Sequence, residues 1–179
     1  MTTYINLYGG PGTGKSTTAA GLFYNMKHRN FKCELVTEFA KDLAYEGRED
    51  VDQLTIFARQ FERMQRLQEK VAYVITDAPL ELSLVYAQGT ERDTPAFRDL
   101  IREATSLLGS SAHVFLKRVK PYKQYGRFQT EDEARALDVR IKSLLESEPL
   151  PHWVIEANDV APAAIMEKLG LNPPSPSAA

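Results

Sequence analysis

The sequence predicts an α/β protein in which a parallel sheet is covered by helices on both faces. Three observations predict it. Five short apolar runs, Tyr4–Tyr8, Lys32–Thr37, Ala72–Thr76, Ala112–Leu116 and His152–Glu156, are spread along the chain. They alternate too little for a half-exposed sheet and read as strands buried on both sides. The stretches between them carry apolar residues at helical spacing, and strands that alternate with helices pair in parallel. Third, Gly9-Gly10-Pro11-Gly12-Thr13-Gly14-Lys15-Ser16 fits G-x-x-x-x-G-K-[ST] at every fixed position, between the first strand and the first helix.

The helices follow in order. Ala19, Leu22, Phe23 and Met26 give the first one, from Lys15 to about Arg29, its buried stripe, and Asn30 is its stop signal. A turn of helix is expected to begin near Phe39. Leu54, Phe57, Ala58, Phe61, Met64 and Leu67 form a long stripe over Leu54–Lys70. Thr94-Pro95 supplies an N-cap and a first-turn proline, with Gly109 past the far end. Thr130-Glu131-Asp132-Glu133 is a capping box that opens a helix to about Glu146, which Pro149 and Pro151 then break. A last short helix runs from about Pro162 to Leu169 and stops at Gly170. Residues 1–171 are thus expected to form a single domain, and the Pro/Ser/Ala-rich stretch 172–179 a disordered tail.

A chain of 179 residues with 43% hydrophobic content suits one domain with a real core. The net charge of −2 argues against a surface that traps polyanions everywhere, while leaving a local basic groove open. The single cysteine, Cys33, excludes an internal disulfide, and its apolar strand suggests packing rather than reactivity. The N-terminus shows no charged leader and no apolar segment long enough for a signal peptide or membrane span, so a cytoplasmic protein is expected.

The glycine-rich loop needs its residue types for a physical reason. Glycines let successive N–H groups turn inward into an anion nest, and the helix start adds unpaired amides and a positive dipole end. Gly10, Pro11, Gly12, Thr13, Gly14, Lys15, Ser16 and Thr17 are therefore expected to hold ATP or another purine triphosphate. Lys15 is placed to reach the β- and γ-phosphates, and Ser16 to ligate Mg²⁺. Right-handed crossovers bring the strand ends to the same sheet edge as this loop. Asp77, an acid at the tip of an apolar strand, resembles the second motif of P-loop proteins and is the other candidate Mg²⁺ ligand. Glu38, at the end of the second strand, is the candidate base for an acceptor hydroxyl, with Asp42 one turn later as the alternative. Gln60 and Arg63, on the polar shoulder that also carries Arg59 and Arg66, are candidate acceptor-binding groups. Asn158 and Asp159, after the fifth strand, are candidates for the adenine edge.

Lys117, Arg118, Lys120, Lys123 and Arg127 fall in a run without acids, interleaved with Tyr122, Tyr125, Gly126 and Phe128. This reads as a basic lid over residues 117–130. Arg127, and next Arg118, would offset charge developing on a transferred phosphoryl group. Arg135, one turn into the next helix, is a further candidate. The same composition also suits a nucleic-acid strand, with phosphates on the basic groups and bases on the rings.

The pattern resembles the P-loop kinases related to the nicotinamide riboside kinase domain of NAD biosynthesis, and within them a bacteriophage group often described as AAA-type ATPases. The matching residues are Gly9–Ser16 with Thr17-Thr18-Ala19, Val36-Thr37-Glu38 with Ala40-Lys41-Asp42, Ile75-Thr76-Asp77-Ala78-Pro79, and Tyr122 with Gly126-Arg127-Phe128-Gln129-Thr130-Glu131. Unlike AAA+ ATPases, the sequence has Ala78 rather than a second acid after Asp77. The resemblance implies a three-layer P-loop NTPase fold with sheet order 2-3-1-4-5 and ATP-dependent phosphorylation of a hydroxyl on a nucleoside-like group. Similar phage enzymes phosphorylate 5-hydroxymethyluracil in DNA during hypermodification, which makes that base the first candidate acceptor and host cytoplasm the expected location. A free nucleoside or nucleotide such as nicotinamide riboside is the second, and a regulatory NTPase without an acceptor the third.

Overall fold

The structure, a computed structural model, describes residues 1–48, 50–123, 129–148 and 150–171. Five strands form one sheet: β1 (Thr3–Tyr8), β2 (Cys33–Val36), β3 (Tyr73–Thr76), β4 (Ser111–Lys117) and β5 (His152–Glu156). All pairings are parallel and the order is β2-β3-β1-β4-β5, as the resemblance implied. Seven helices connect and cover them among the described residues: α1 (Lys15–His28), α2 (Phe39–Tyr45), α3 (Gln53–Gln65), α4 (Leu82–Ala87), α5 (Pro95–Leu108), α6 (Glu131–Ser147) and α7 (Ala161–Lys168).

Successive strand residues face opposite ways, so the central strand feeds two cores. Tyr4 and Tyr8 of β1 join Val74, Phe115 and apolar residues of α3, α4, α5 and α6 on one side. Ile5 and Leu7 join Ile75, Val114, Leu116 and residues of α1 and α7 on the other. Both sides of β1 are therefore dry, which explains its near-continuous apolar sequence. Cys33 lies fully buried in the second core.

Helix α1 lies close against α7. An added Cβ at Gly21 would come 2.9 Å from the Pro162 ring, so this mid-helix glycine permits the close approach. Helix α3 ends earlier than its apolar stripe suggests. After Gln65 the chain tightens into turns with i→i−3 bonds, and Glu69 takes φ 61°, its amide donating to Thr2 Oγ1 at 2.8 Å. The short α4 has no sequence counterpart above, because nearly all its residues are buried and it shows no polar face. Thr94 and Thr130 cap α5 and α6 as expected, the latter with a complete capping box. Among the described residues no helix is long and apolar enough to cross a membrane.

Candidate functional site

The site forms where β1, β2 and β3 end. The chain leaves β1 at Tyr8, turns through Gly9–Gly14 and enters α1 at Lys15. Thr13 is buried and closes the loop on itself, its hydroxyl donating to the Gly10 carbonyl at 2.8 Å. Gly12 sits at φ 76°, and a Cβ there would lie 3.1 Å from the Tyr122 ring and 3.3 Å from Arg118 Nη1. Both the turn and the close neighbours exclude a side chain. Ser16 and Thr17 are exposed at the helix start, where amides lack internal partners.

Four predicted residues, Lys15, Ser16, Asp77 and Glu38, meet around this loop. Lys15 Nζ donates to the carbonyls of Gly9 at 2.6 Å and Gly10 at 3.3 Å. Ser16 Oγ donates to Asp77 Oδ2 at 2.5 Å, and Asp77 Oδ1 accepts the Glu38 amide at 3.1 Å. Asp77 is buried, and it joins the ends of β2 and β3 to the first turn of α1. Burial pushes the Lys15 ammonium below its usual range, opposed by Glu38, Asp77 and Asp138. Burial also raises the Glu38 carboxyl, opposed by Lys15. A raised carboxyl is better matched to accepting a proton near neutral pH than a free one. Mg²⁺ takes few protein oxygens and keeps waters and phosphate oxygens, and the hard pair Ser16 Oγ and Asp77 Oδ2 fits that demand. No group of three His, Cys, Asp or Glu converges to form a protein metal cage among the described residues.

Arg118, just past β4, is fixed beside the loop. Its Nε donates to Asp138 Oδ2 at 2.9 Å and its Nη2 to the Pro11 carbonyl at 2.8 Å. The side chain is only 6% exposed, yet Nη1 has no partner among the described residues. An unpaired buried donor next to Gly12 is a group that an anion over the loop would satisfy. Asp138 also accepts the Gly10 amide through Oδ1 at 2.6 Å. It therefore holds the loop and Arg118 together, a role absent from the sequence expectations. The available signal was an acid one turn from Ala134 and three residues before Ile141, on the edge of the α6 face that packs into the core.

The acceptor-side expectations divide. Arg63 donates to Asp42 Oδ2 and, at 3.4 Å, to the Thr37 carbonyl, so both residues lie beside the turn that carries Glu38. Gln60 departs from its expected role. It is buried, its Oε1 accepting the Phe39 amide at 3.0 Å and its Nε2 donating to Thr76 Oγ1 at 3.4 Å. It braces the start of α2, and both ends of its amide are engaged inside the protein. Arg135 pairs with Glu131 along α6. Asn158 Oδ1 accepts the Val160 amide at 3.2 Å, shaping the turn after β5. Arg127, with Tyr125, Gly126 and Phe128, lies outside the described residues, as does the 172–179 stretch.

A family model described as AAA domain matches residues 4–162, almost the whole of this arrangement. The chain belongs to the AAA domain family. No curated protein matches the sequence. Among solved structures, this AAA domain is similar to a NadR protein crystallised in complex with NR, with TM-score 0.72 and 14% identity. The similarity covers 99% of this chain and 54% of that one, so the chain spans about half the length of its structural neighbour. At that identity the likeness establishes a shared fold.

Proposed function

We propose that this AAA domain protein is a phosphotransferase, moving the γ-phosphoryl group of ATP or another purine triphosphate to a hydroxyl on a nucleoside-like acceptor. The observation that carries the reading is the meeting of Lys15, Ser16, Asp77 and Glu38 at one sheet edge. The Glu38 carboxyl, raised by burial and facing the charge of the loop lysine, supports a proton-accepting role at this edge.

In this reading the loop amides and Lys15 hold the β- and γ-phosphates once Lys15 leaves the Gly9 carbonyl. Mg²⁺ held by Ser16 and Asp77 would supply positive charge at the phosphate oxygens. Glu38 takes the proton from the acceptor hydroxyl as its oxygen bonds to the γ-phosphorus. The bond to the β,γ-bridging oxygen breaks, and the nucleoside diphosphate leaves. Arg118, held by Asp138, offsets negative charge near Gly12 through Nη1, and Arg127 is proposed to assist it. Asp42 and Arg63 are proposed to border the acceptor. The likeness in fold to a protein solved with NR supports a nucleoside-like acceptor, and the phage resemblance supports 5-hydroxymethyluracil in DNA as its identity.

The test uses γ-labelled ATP, Mg²⁺ and three pools: hydroxymethyluracil-containing DNA, plain DNA and free nucleosides including nicotinamide riboside. Label is expected in one pool. Label released only as inorganic phosphate would favour a regulatory NTPase instead. Glu38→Gln is expected to lower transfer at least about 100-fold, within the range of general-base contributions, with nucleotide affinity unchanged. Wild-type transfer by that variant removes Glu38 as the base.

A further inference from the structure

A groove of about 550 Å³ opens between α2 and α3. That volume lies in the range of small-molecule sites. Its wall includes Phe39, the residue after Glu38 in the chain, and Leu43 one turn later. Its rim carries Arg48, Arg59, Arg63 and Arg66.

We infer that this groove binds the phosphate of an acceptor that is itself phosphorylated, a nucleotide or a nucleic-acid strand, rather than a bare nucleoside. The inference rests on the phosphotransfer reading above and names its substrate class. Arg59, Arg63 and Arg66 recur at spacings of four and three, which puts them on one face of α3. The favourable field at a helix C-terminus accounts for cations in the last turn. It accounts neither for Arg59, further back, nor for Arg48, which approaches from beyond α2.

The carboxylates present leave these guanidinium groups available. Glu62 pairs with Arg59 at 2.9 Å, with both side chains at least 60% exposed. Glu46 approaches Arg48 only to 3.7 Å, again with both exposed. Exposed pairs of this kind contribute little, and a phosphate exchanges with them readily. Arg66 has no ion pair among the described residues. Arg63 is different. Its guanidinium lies 4.9 Å from the Phe39 ring centroid and holds Asp42, which fixes a planar fork at the inner end of the groove. The lining therefore sets Phe39, Leu43 and Val51 beside four arginines against two glutamates, an apolar patch next to net positive charge, which suits a base or sugar followed by a phosphate.

Binding is measured with the nucleotide loop filled by a non-hydrolysable ATP analogue and Mg²⁺. Calorimetry compares the four deoxynucleosides with their 5′-monophosphates. Fluorescence anisotropy follows a labelled mixed-sequence single-stranded hexanucleotide across a salt series. At least one phosphorylated class is expected to bind tenfold or more tightly than the nucleosides. Preference for the monophosphates assigns a free nucleotide, and preference for the hexanucleotide, with affinity falling steeply with salt, assigns a strand. The double variant Arg59→Ser/Arg66→Ser, both exposed positions, is expected to abolish that advantage while the analogue binds within twofold of wild type. Equal or undetectable binding of the nucleosides and of both phosphorylated classes, or a double variant indistinguishable from wild type, overturns the inference and leaves the kinase reading intact. Failure of the analogue to bind wild-type protein overturns the kinase reading itself.

Discussion

Asp138 joins two groups that its loss would strand together. Without its carboxylate, the Gly10 amide and Arg118 Nε both lose their acceptor, in a pair whose side chains are 6% and 18% exposed. Breaking a buried pair from one side costs about 3–5 kcal/mol, and partial exposure of Asp138 lowers the expected loss to about 2 kcal/mol. Asp138→Ala should thus lower the melting temperature and reduce kcat/KM for nucleotide at least tenfold. Asp138→Asn, which still accepts from Gly10, should fall between. Thermal melts and steady-state kinetics check this, and an alanine variant equal to wild type in both removes the positioning role. A second buried cluster makes a pH prediction. Tyr8 Oη donates to Glu81 Oε2 at 2.9 Å and lies 2.9 Å from His113 Nδ1. Burial pushes His113 down to about 4. A histidine held neutral contributes stability that is complete above its unfolded value near 6.5 and is lost as pH falls towards 4. Burial raises Glu81 instead, so its contribution is present in acid and lost as pH rises, and it partly masks the histidine. Comparison with His113→Gln separates them: the variant should lose less melting temperature than wild type between pH 7 and pH 5. Parallel curves would show that His113 does not govern the acid limb.

At the scale of elements, α6 carries both Asp138 and the residues that follow the basic segment. Its start is fixed by Thr130, whose side chain accepts from the Glu133 amide, while Glu133 Oε2 accepts the Thr130 amide at 2.7 Å. Loss of such a cap costs about 1 kcal/mol, which for a chain of this size corresponds to about 2–4 °C. Thr130→Ala should show that shift in a thermal melt, and an unchanged melting temperature would mean that the first turn of α6 is held by its packing alone. Elements with two distinct faces or a chemical terminus were legible in the sequence. The α5 and α6 caps, the stop at Asn30 and the dry central strand β1 follow from local patterns, whereas the edge strand β5, equally apolar in sequence, has no fully buried residue and leaves Val154 exposed. Helix α4 was not legible, because a helix buried nearly all round has no stripe to detect. The end of α3 was missed because Leu67 continues the apolar period after the backbone has already turned.

For the whole molecule, the meeting of the glycine-rich loop with Lys15, Ser16 and Asp77 was legible because motif and strand-end position are both encoded locally. Asp138 and the engagement of Gln60 were not, since each depends on a contact more than fifteen residues away in sequence. The architecture makes a global prediction. The loop hangs from the central strand, whose residues are almost fully buried, so nucleotide bound there stabilises the entire fold. At a ligand concentration 100 times Kd, linkage gives about 2.7 kcal/mol, or about 5–10 °C for this size class. Mg²⁺ with an ATP analogue should raise the melting temperature by that amount, and a shift below about 1 °C at saturation would contradict binding at the loop.

Gly21 gives the fold a hidden lever arm. From that bare notch on α1 to the lysine that begins the same rod is six residues, or about 9 Å at 1.5 Å per residue. A methyl group at the notch would meet a rigid ring 2.9 Å away, and the rod would have to pivot or lift. Its tip carries the ammonium and hydroxyl proposed to meet the triphosphate, so bulk added on the back of the molecule would emerge as misplaced groups at the front.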